Sequence, residues 1–270
     1  ETHGVRAKDA TSAPDGLTPL VTPRIALLDR YGGSMPSGWI RWILEQFEFG
    51  FTVVYPPDVD SGALSSYDVL IMPSDIAIGG ERGGRFARFA PDPNDKTIPD
   101  MYRKRMGSLT TETSLPKLKE FAENGGTIVA IGRATSIGEQ LGLPVENALV
   151  GDDGKPLPRS KFYVPGSVLQ IHVNNDDPLA FGMSENTDFF FDNSPVFKLT
   201  GPGDKIAWFD TDKPLRSGWA WGQEALKDAV AAASFEVGKG RVVLYGPEIT
   251  FRSQPHGTYK LLFNALAVGR

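Results

Sequence analysis

The chain has 270 residues, 40% hydrophobic and 10% aromatic, with a formal net charge of −5 and no cysteine. This allows one large domain, or two small ones, with a sizeable core; it argues against nucleic acid as the main partner, since phosphate recognition wants a basic surface. No apolar run approaches the ~18 residues of a membrane helix, and the lack of cysteine removes disulfides, thiolate nucleophiles and sulfur metal ligands together.

Residues 1–22 are polar and rich in Ala, Pro, Thr and Asp, and read as a linker or flexible arm. The first residue is Glu, which leads us to expect a piece of a longer polypeptide. An ordered domain is expected over 23–270. It opens with a βα rhythm. Arg24 to Asp29 is a short apolar run of the kind that forms a buried strand. After the turn Tyr31-Gly32-Gly33-Ser34, Ser37 is the expected N-cap of a helix carrying Trp39, Ile40, Trp42, Ile43, Leu44 and Phe47. The two tryptophans sit at helical spacing and are expected in the core. Phe51 to Tyr55 is a second strand closed by Pro56-Pro57, and Asp68 to Met72 a third, ended by Pro73.

Residues 75–113 break the rhythm and read as a loop excursion that is basic through Arg82, Arg85, Arg88, Arg103, Lys104 and Arg105. From Ser114, the apolar positions Leu115, Leu118, Phe121 and Ala122 share one helical face, which stops at Gly125-Gly126. Thr127 to Ile131 is a fourth strand, followed by Gly132 and a short helix to about Leu141. Strands alternating with helices predict a parallel sheet covered on both faces. Residues 143–223 read as a β-rich insertion, Val230 to Tyr245 as a β-hairpin turning at Gly238-Lys239-Gly240, and Gly257 to Ala267 as a last helix.

In open α/β sheets, sites lie at the carboxyl ends of the strands. Three such ends attract attention: Tyr31 to Ser34, Gly132 to Ser136, and Gly246-Pro247-Glu248. The second has the strand–turn–helix shape of a nucleophile elbow. Two residues after Gly132 the slot holds Ala134, which has no nucleophilic atom. The order strand, helix, strand, strand, GGTIVAIG with a tight turn, then VVLYGPE and a final helix, resembles the class I glutamine amidotransferases. That resemblance implies a flavodoxin-like three-layer sandwich with a mostly parallel sheet. The family places a cysteine at the elbow and His-Pro-Glu after a late strand. Here those places read Ala134 and Gly246-Pro247-Glu248, so only Glu248 matches. An orienting carboxylate without imidazole and thiolate cannot carry out acyl transfer. We therefore expect no catalytic residues, and keep Ser34, Thr135 and Ser136 as the nucleophiles of an alternative hydrolase reading.

A second resemblance covers more of the chain. RYGGSMPSGWIRWILEQF, FYVPGSVL, FFDNSPVF, PLRSGWAWGQ and GPEITFRSQPHGTYKLLFNAL are similar to the C-terminal region of large bacterial carboxypeptidase A-like zinc peptidases. It implies an accessory domain of a secreted or periplasmic metallocarboxypeptidase, with an N-terminal peptidase domain of the same polypeptide as partner. The zinc motif of that family is His-x-x-Glu. Here Arg6, Asn175 and Tyr259 stand three residues after His3, His172 and His256, so zinc is expected in the parent and no cofactor in this chain.

The remaining candidates suit a small-molecule, glycan or peptide ligand. Glu248, Arg252, Gln254 and His256 combine a forked anion donor with hydrogen-bonding side chains, or form a polar loop that caps the last helix. Arg216, Trp219 and Trp221 lie in an aromatic, glycine-rich segment where alternation would put both indoles on one face, for a sugar or for packing. Tyr31, Ser34 and Arg41 surround the first strand end. Asp192-Asn193 reads as a turn, without the further acidic ligands of a calcium loop.

Overall fold

The computed structural model describes residues 11–12, 21–79 and 95–267. Most of the expected arm at 1–22, and residues 80–94 of the excursion with Arg82, Arg85 and Arg88, lie outside the described residues.

Strands β1 (Ile25–Leu28) and β3 (Val69–Met72) are buried at every position, as unbroken apolar runs covered on both faces must be. They form the middle of a parallel array with β2 (Phe51–Val54), β4 (Thr127–Ile131) and β12 (Gly240–Tyr245), in the order β2-β1-β3-β4-β12. β12 is parallel to β4 but antiparallel to β11 (Val230–Val237), the other arm of the expected hairpin. Beyond β11 the sheet continues antiparallel through β9 (Asp204–Trp208), β6 (Ser167–Val173) and β10 (Leu215–Ser217). Strand β7 (Asn186–Phe191) also pairs with β6, and the short pair β5 (Val145–Asn147) and β8 (Phe197–Leu199) attaches to β11. The 143–223 segment thus extends the main sheet.

Alternation along each strand divides the core. On one face Leu27, Ile71, Val129, Val243 and Tyr245 meet Ile40, Ile43 and Leu44 of α1 (Met35–Gln46) and Leu261, Leu262 and Leu266 of α6 (Tyr259–Ala267). On the other, Leu28, Leu70, Ala130 and Leu244 meet Val59 of α2 (Pro56–Asp60), Leu118 and Phe121 of α4 (Ser114–Glu123) and Ile137 of α5 (Ile137–Gln140). Helix, sheet and helix make the three expected layers.

Four local expectations are corrected. The N-cap of α1 is Ser34, whose hydroxyl accepts from Ser37 N at 3.1 Å. Pro56-Pro57 both closes β2 and opens α2, since proline fits the first helical turn. The excursion is structured where described: α3 (Asp100–Arg103) lies within it, and Ile76, Ile78 and Leu109 are buried. Trp42 is 47% exposed on the outer face of α1, while Trp39 is half-buried edge-on to Phe251.

Candidate functional site

The chain leaves β1 for β2 on one side, while β3 lies on the other. This reversal opens a crevice at the carboxyl ends of the strands. Asp29 follows β1 and is buried, and its carboxylate accepts from Arg30 N at 2.7 Å. Ser74 and Asp75 follow β3. The Ser34 hydroxyl donates to Asp75 Oδ1 at 2.5 Å, and Arg30 Nη2 stands 3.1 Å from Asp75 Oδ2. The end of β1, the start of α1 and the end of β3 are therefore locked together by charge-assisted bonds.

Gly132 follows β4 at φ +58°, the left-handed backbone of a strand-to-helix elbow. A Cβ built there would lie 2.2 Å from Ser74 Oγ and 2.9 Å from Glu248 Oε1. The position that faces the retained carboxylate is thus Gly132. Ala134, two residues on, is 1% exposed and packs in the core beneath the sheet. The elbow slot accordingly sits two residues earlier than the sequence suggested. At the end of β12, a Cβ on Gly246 would lie 2.0 Å from the Pro195 carbonyl oxygen, so no side chain fits where an imidazole would be needed.

Glu248 is half-buried, and its Oε2 is enclosed with no hydrogen-bond partner among the described residues. Burial pushes its carboxyl above the ordinary glutamate range. The Ser74 hydroxyl and Arg133 pull the other way, whereas Asp75 and Asp192 add to the rise. Asp29 is raised too, chiefly by burial and further by Asp75, against the Arg30 N–H and the Arg41 guanidinium. Both carboxyls thus hold a proton more readily than exposed ones. The arrangement can accept and donate hydrogen bonds to a bound polar group through Ser34, Ser74, Asp75 and Glu248.

The candidate hydroxyls are otherwise engaged. Ser34 caps α1 and holds Asp75, and Thr135 is 3% exposed and donates to Gly132 O at 2.6 Å. Ser136 lines a depression of about 330 Å³ with Arg133, Glu139, Asn147 and Pro195. Of the sequence candidates, Ser34 and Glu248 make contacts at these strand ends, and Arg41 lies close enough to Asp29 to act on its charge.

Arg252, Gln254 and His256 are exposed on the loop before α6. Arg252 and Ser253 have positive φ, the Arg252 guanidinium lies over Phe251 at 5.2 Å, and Phe251 stacks on Phe190 at 3.7 Å. His256 lies against Tyr259 at 5.0 Å. Arg216, Trp219 and Trp221 form a separate group at the β10 edge, where Arg216 faces Asp188 at 3.5 Å. β10 ends at Ser217 and Gly218 turns the chain at φ +98°, so Trp219 and Trp221 follow the strand, and both are 54% exposed. Asp29, Ser74 and Asp75 were not among the sequence candidates, and Gly132 and Arg133 were named only as part of the elbow. The end of β3 was the signal available, since every strand end of a parallel sheet faces the same crevice.

No family model matches the chain, and no curated protein matches it. Solved structures do. A chain of PurLQS from Thermotoga maritima superposes with TM-score 0.52 at 15% identity, over 91% of this chain and 98% of the other. A protein from Thermoplasma acidophilum, named for a GMP synthase component, gives TM-score 0.52 at 12% identity, over 92% and 94%. The protein has the class I glutamine amidotransferase-like α/β fold.

Proposed function

We propose that this chain is a non-catalytic accessory domain, which binds or positions a ligand for a partner domain and performs no acyl transfer. One observation carries the reading. Both positions that an amidotransferase triad would fill are glycines with no room for a side chain, Gly132 against Ser74 and Gly246 against the Pro195 carbonyl. Glu248 alone can order water or ligand but cannot attack a carbonyl.

The parent we propose is a secreted or periplasmic zinc metallocarboxypeptidase with an N-terminal peptidase domain, on the strength of the sequence resemblance. Among the described residues, no three His, Cys, Asp or Glu group closely enough to hold a metal ion, so zinc enters this proposal through the parent alone. No helix among them is long and apolar enough to cross a membrane.

Purified chain incubated with glutamine, a carboxypeptidase substrate and a fluorophosphonate probe should release no ammonia, cleave no peptide and take up no label. Stoichiometric labelling at Ser34, Thr135 or Ser136 would instead make it a hydrolase. An upstream reading frame lacking His-x-x-Glu with a later His would remove the proposed parent and leave the accessory role standing.

A further inference from the structure

The segment Gly218-Trp219-Ala220-Trp221-Gly222 is bracketed by two glycines that the fold cannot replace. Gly218 has φ +98°, and a Cβ there would lie 2.6 Å from Ser167 Oγ; Gly222 has φ +72°, and its Cβ would lie 1.9 Å from the Lys161 carbonyl oxygen. Between them the backbone is tied down. Trp219 N donates to Ser167 Oγ at 2.9 Å, and Tyr163 and Trp221 exchange backbone bonds at 2.9 and 3.0 Å. The Trp221 indole N–H donates to Ser160 O at 2.9 Å, which fixes that ring. Trp219 meets Tyr163 edge-on at 5.7 Å, and Arg159 lies over Tyr163 at 5.2 Å. Yet both indoles remain 54% exposed. Rings held so firmly and left in water form a pre-organised surface, for which little ordering entropy remains to be lost on binding.

A cleft of about 360 Å³ has on its wall the same Arg159 that lies over the Tyr163 ring. Its other polar lining is Asn147, Asn193 and Ser194, beside the apolar Leu157 and Phe162. Asn193 stands at φ +44° and is held there by paired bonds with Val164, at 2.8 and 3.1 Å. The exposed face of an indole suits the C–H face of a pyranose ring. The Arg159 guanidinium suits its neighbouring hydroxyls as a forked donor, with the Asn147 amide N–H beside it.

We infer that this surface is a carbohydrate-binding site, with the exposed Trp219 and Trp221 indoles as the stacking faces, Tyr163 behind them as support, and Arg159 beside the cleft as its polar arm. A proline-rich peptide would use the rings and leave the amide-lined cleft empty. The cleft shares Asn147 and Pro195 with the depression beside Arg133, but the indole surface stands on its own residues and does not depend on the accessory reading.

The test is titration of the purified chain with cellohexaose, maltohexaose and chitohexaose, followed by tryptophan fluorescence and calorimetry, with decaproline as the contrasting ligand. At least one oligosaccharide should bind saturably. Trp219→Ala, Trp221→Ala and Arg159→Ala should each weaken it by about tenfold or more, whereas Trp42→Ala, an exposed indole on α1, should leave affinity unchanged. If Trp221→Ala lowers Tm, Trp221→Phe replaces it, keeping a ring while losing the bond to Ser160. No saturable oligosaccharide binding, binding indifferent to both platform variants, or saturation by decaproline alone would overturn the inference.

Discussion

At Gly132 a methyl group would meet Ser74 at 2.2 Å from Oγ and 2.7 Å from Cβ, on a backbone that L side chains rarely adopt. Gly132→Ala should therefore cost about 2–4 kcal/mol, from overpacking and left-handed strain together. Adding Ser74→Gly removes the colliding side chain and should recover about 1 kcal/mol of that, read as non-additivity of urea unfolding midpoints. Glu248 supplies the pH dependence. Its folded carboxyl titrates above the unfolded one, so between the two values the folded chain holds more protons and stability falls as pH rises. Below that window both states are protonated and the penalty is absent. Glu248→Gln should be more stable than the parent chain near neutrality and converge with it in acid, in urea titrations from pH 4 to 8. Asp29 has the same sign, so the slope should shrink and not vanish. A stability that instead rises through this window would show that Glu248 is better solvated as a carboxylate than its burial implies.

Single contacts join whole elements. Tyr245, at the end of β12, is fully buried and donates to Leu261 O of α6 at 2.9 Å, and burial drives its phenol far above the ordinary range. Tyr245→Phe should cost about 1–2 kcal/mol by leaving a buried carbonyl short of a donor, with faster hydrogen exchange confined to α6. Elements were legible in sequence where burial is continuous: β1, β3 and β4 are unbroken apolar runs, and the β11–β12 hairpin announces itself at Gly238-Lys239-Gly240. The start of α1 was ambiguous because Ser34 and Ser37 are both serines, and only the chain's approach decides which hydroxyl reaches a free N–H. Trp42 shows the limit of helical spacing, which fixes a face but not what covers it. The crevice was half legible. Glu248 and Ser34 stood out at strand ends, but Asp75 matters through Ser34 and Arg30, and those contacts exist only once β1 and β3 are neighbours.

Across the molecule, one sheet runs through both the parallel and the antiparallel halves, and the core on one face is continuous from Leu27 to Phe191 and Phe209. No independent core separates the β-rich 143–223 segment from the βα half among the described residues. Thermal unfolding followed by tryptophan fluorescence, which reports on Trp208, Trp219 and Trp221 in one half and Trp39 and Trp42 in the other, should coincide with far-UV circular dichroism in a single transition. Two resolved transitions would mean that the shared sheet does not couple the halves.

Strand β12 has a further consequence, for the chain as it is made. It is the neighbour that completes β4, yet Gly240–Tyr245 comes after every other described strand in sequence. A growing chain therefore carries four finished parallel strands with an open edge at β4 throughout synthesis of the next hundred or so residues, and an open edge invites pairing with another chain. The hairpin that closes it also joins the two halves. The parallel array is therefore complete only when Val230–Tyr245 has been made, and until then β4 is an edge strand.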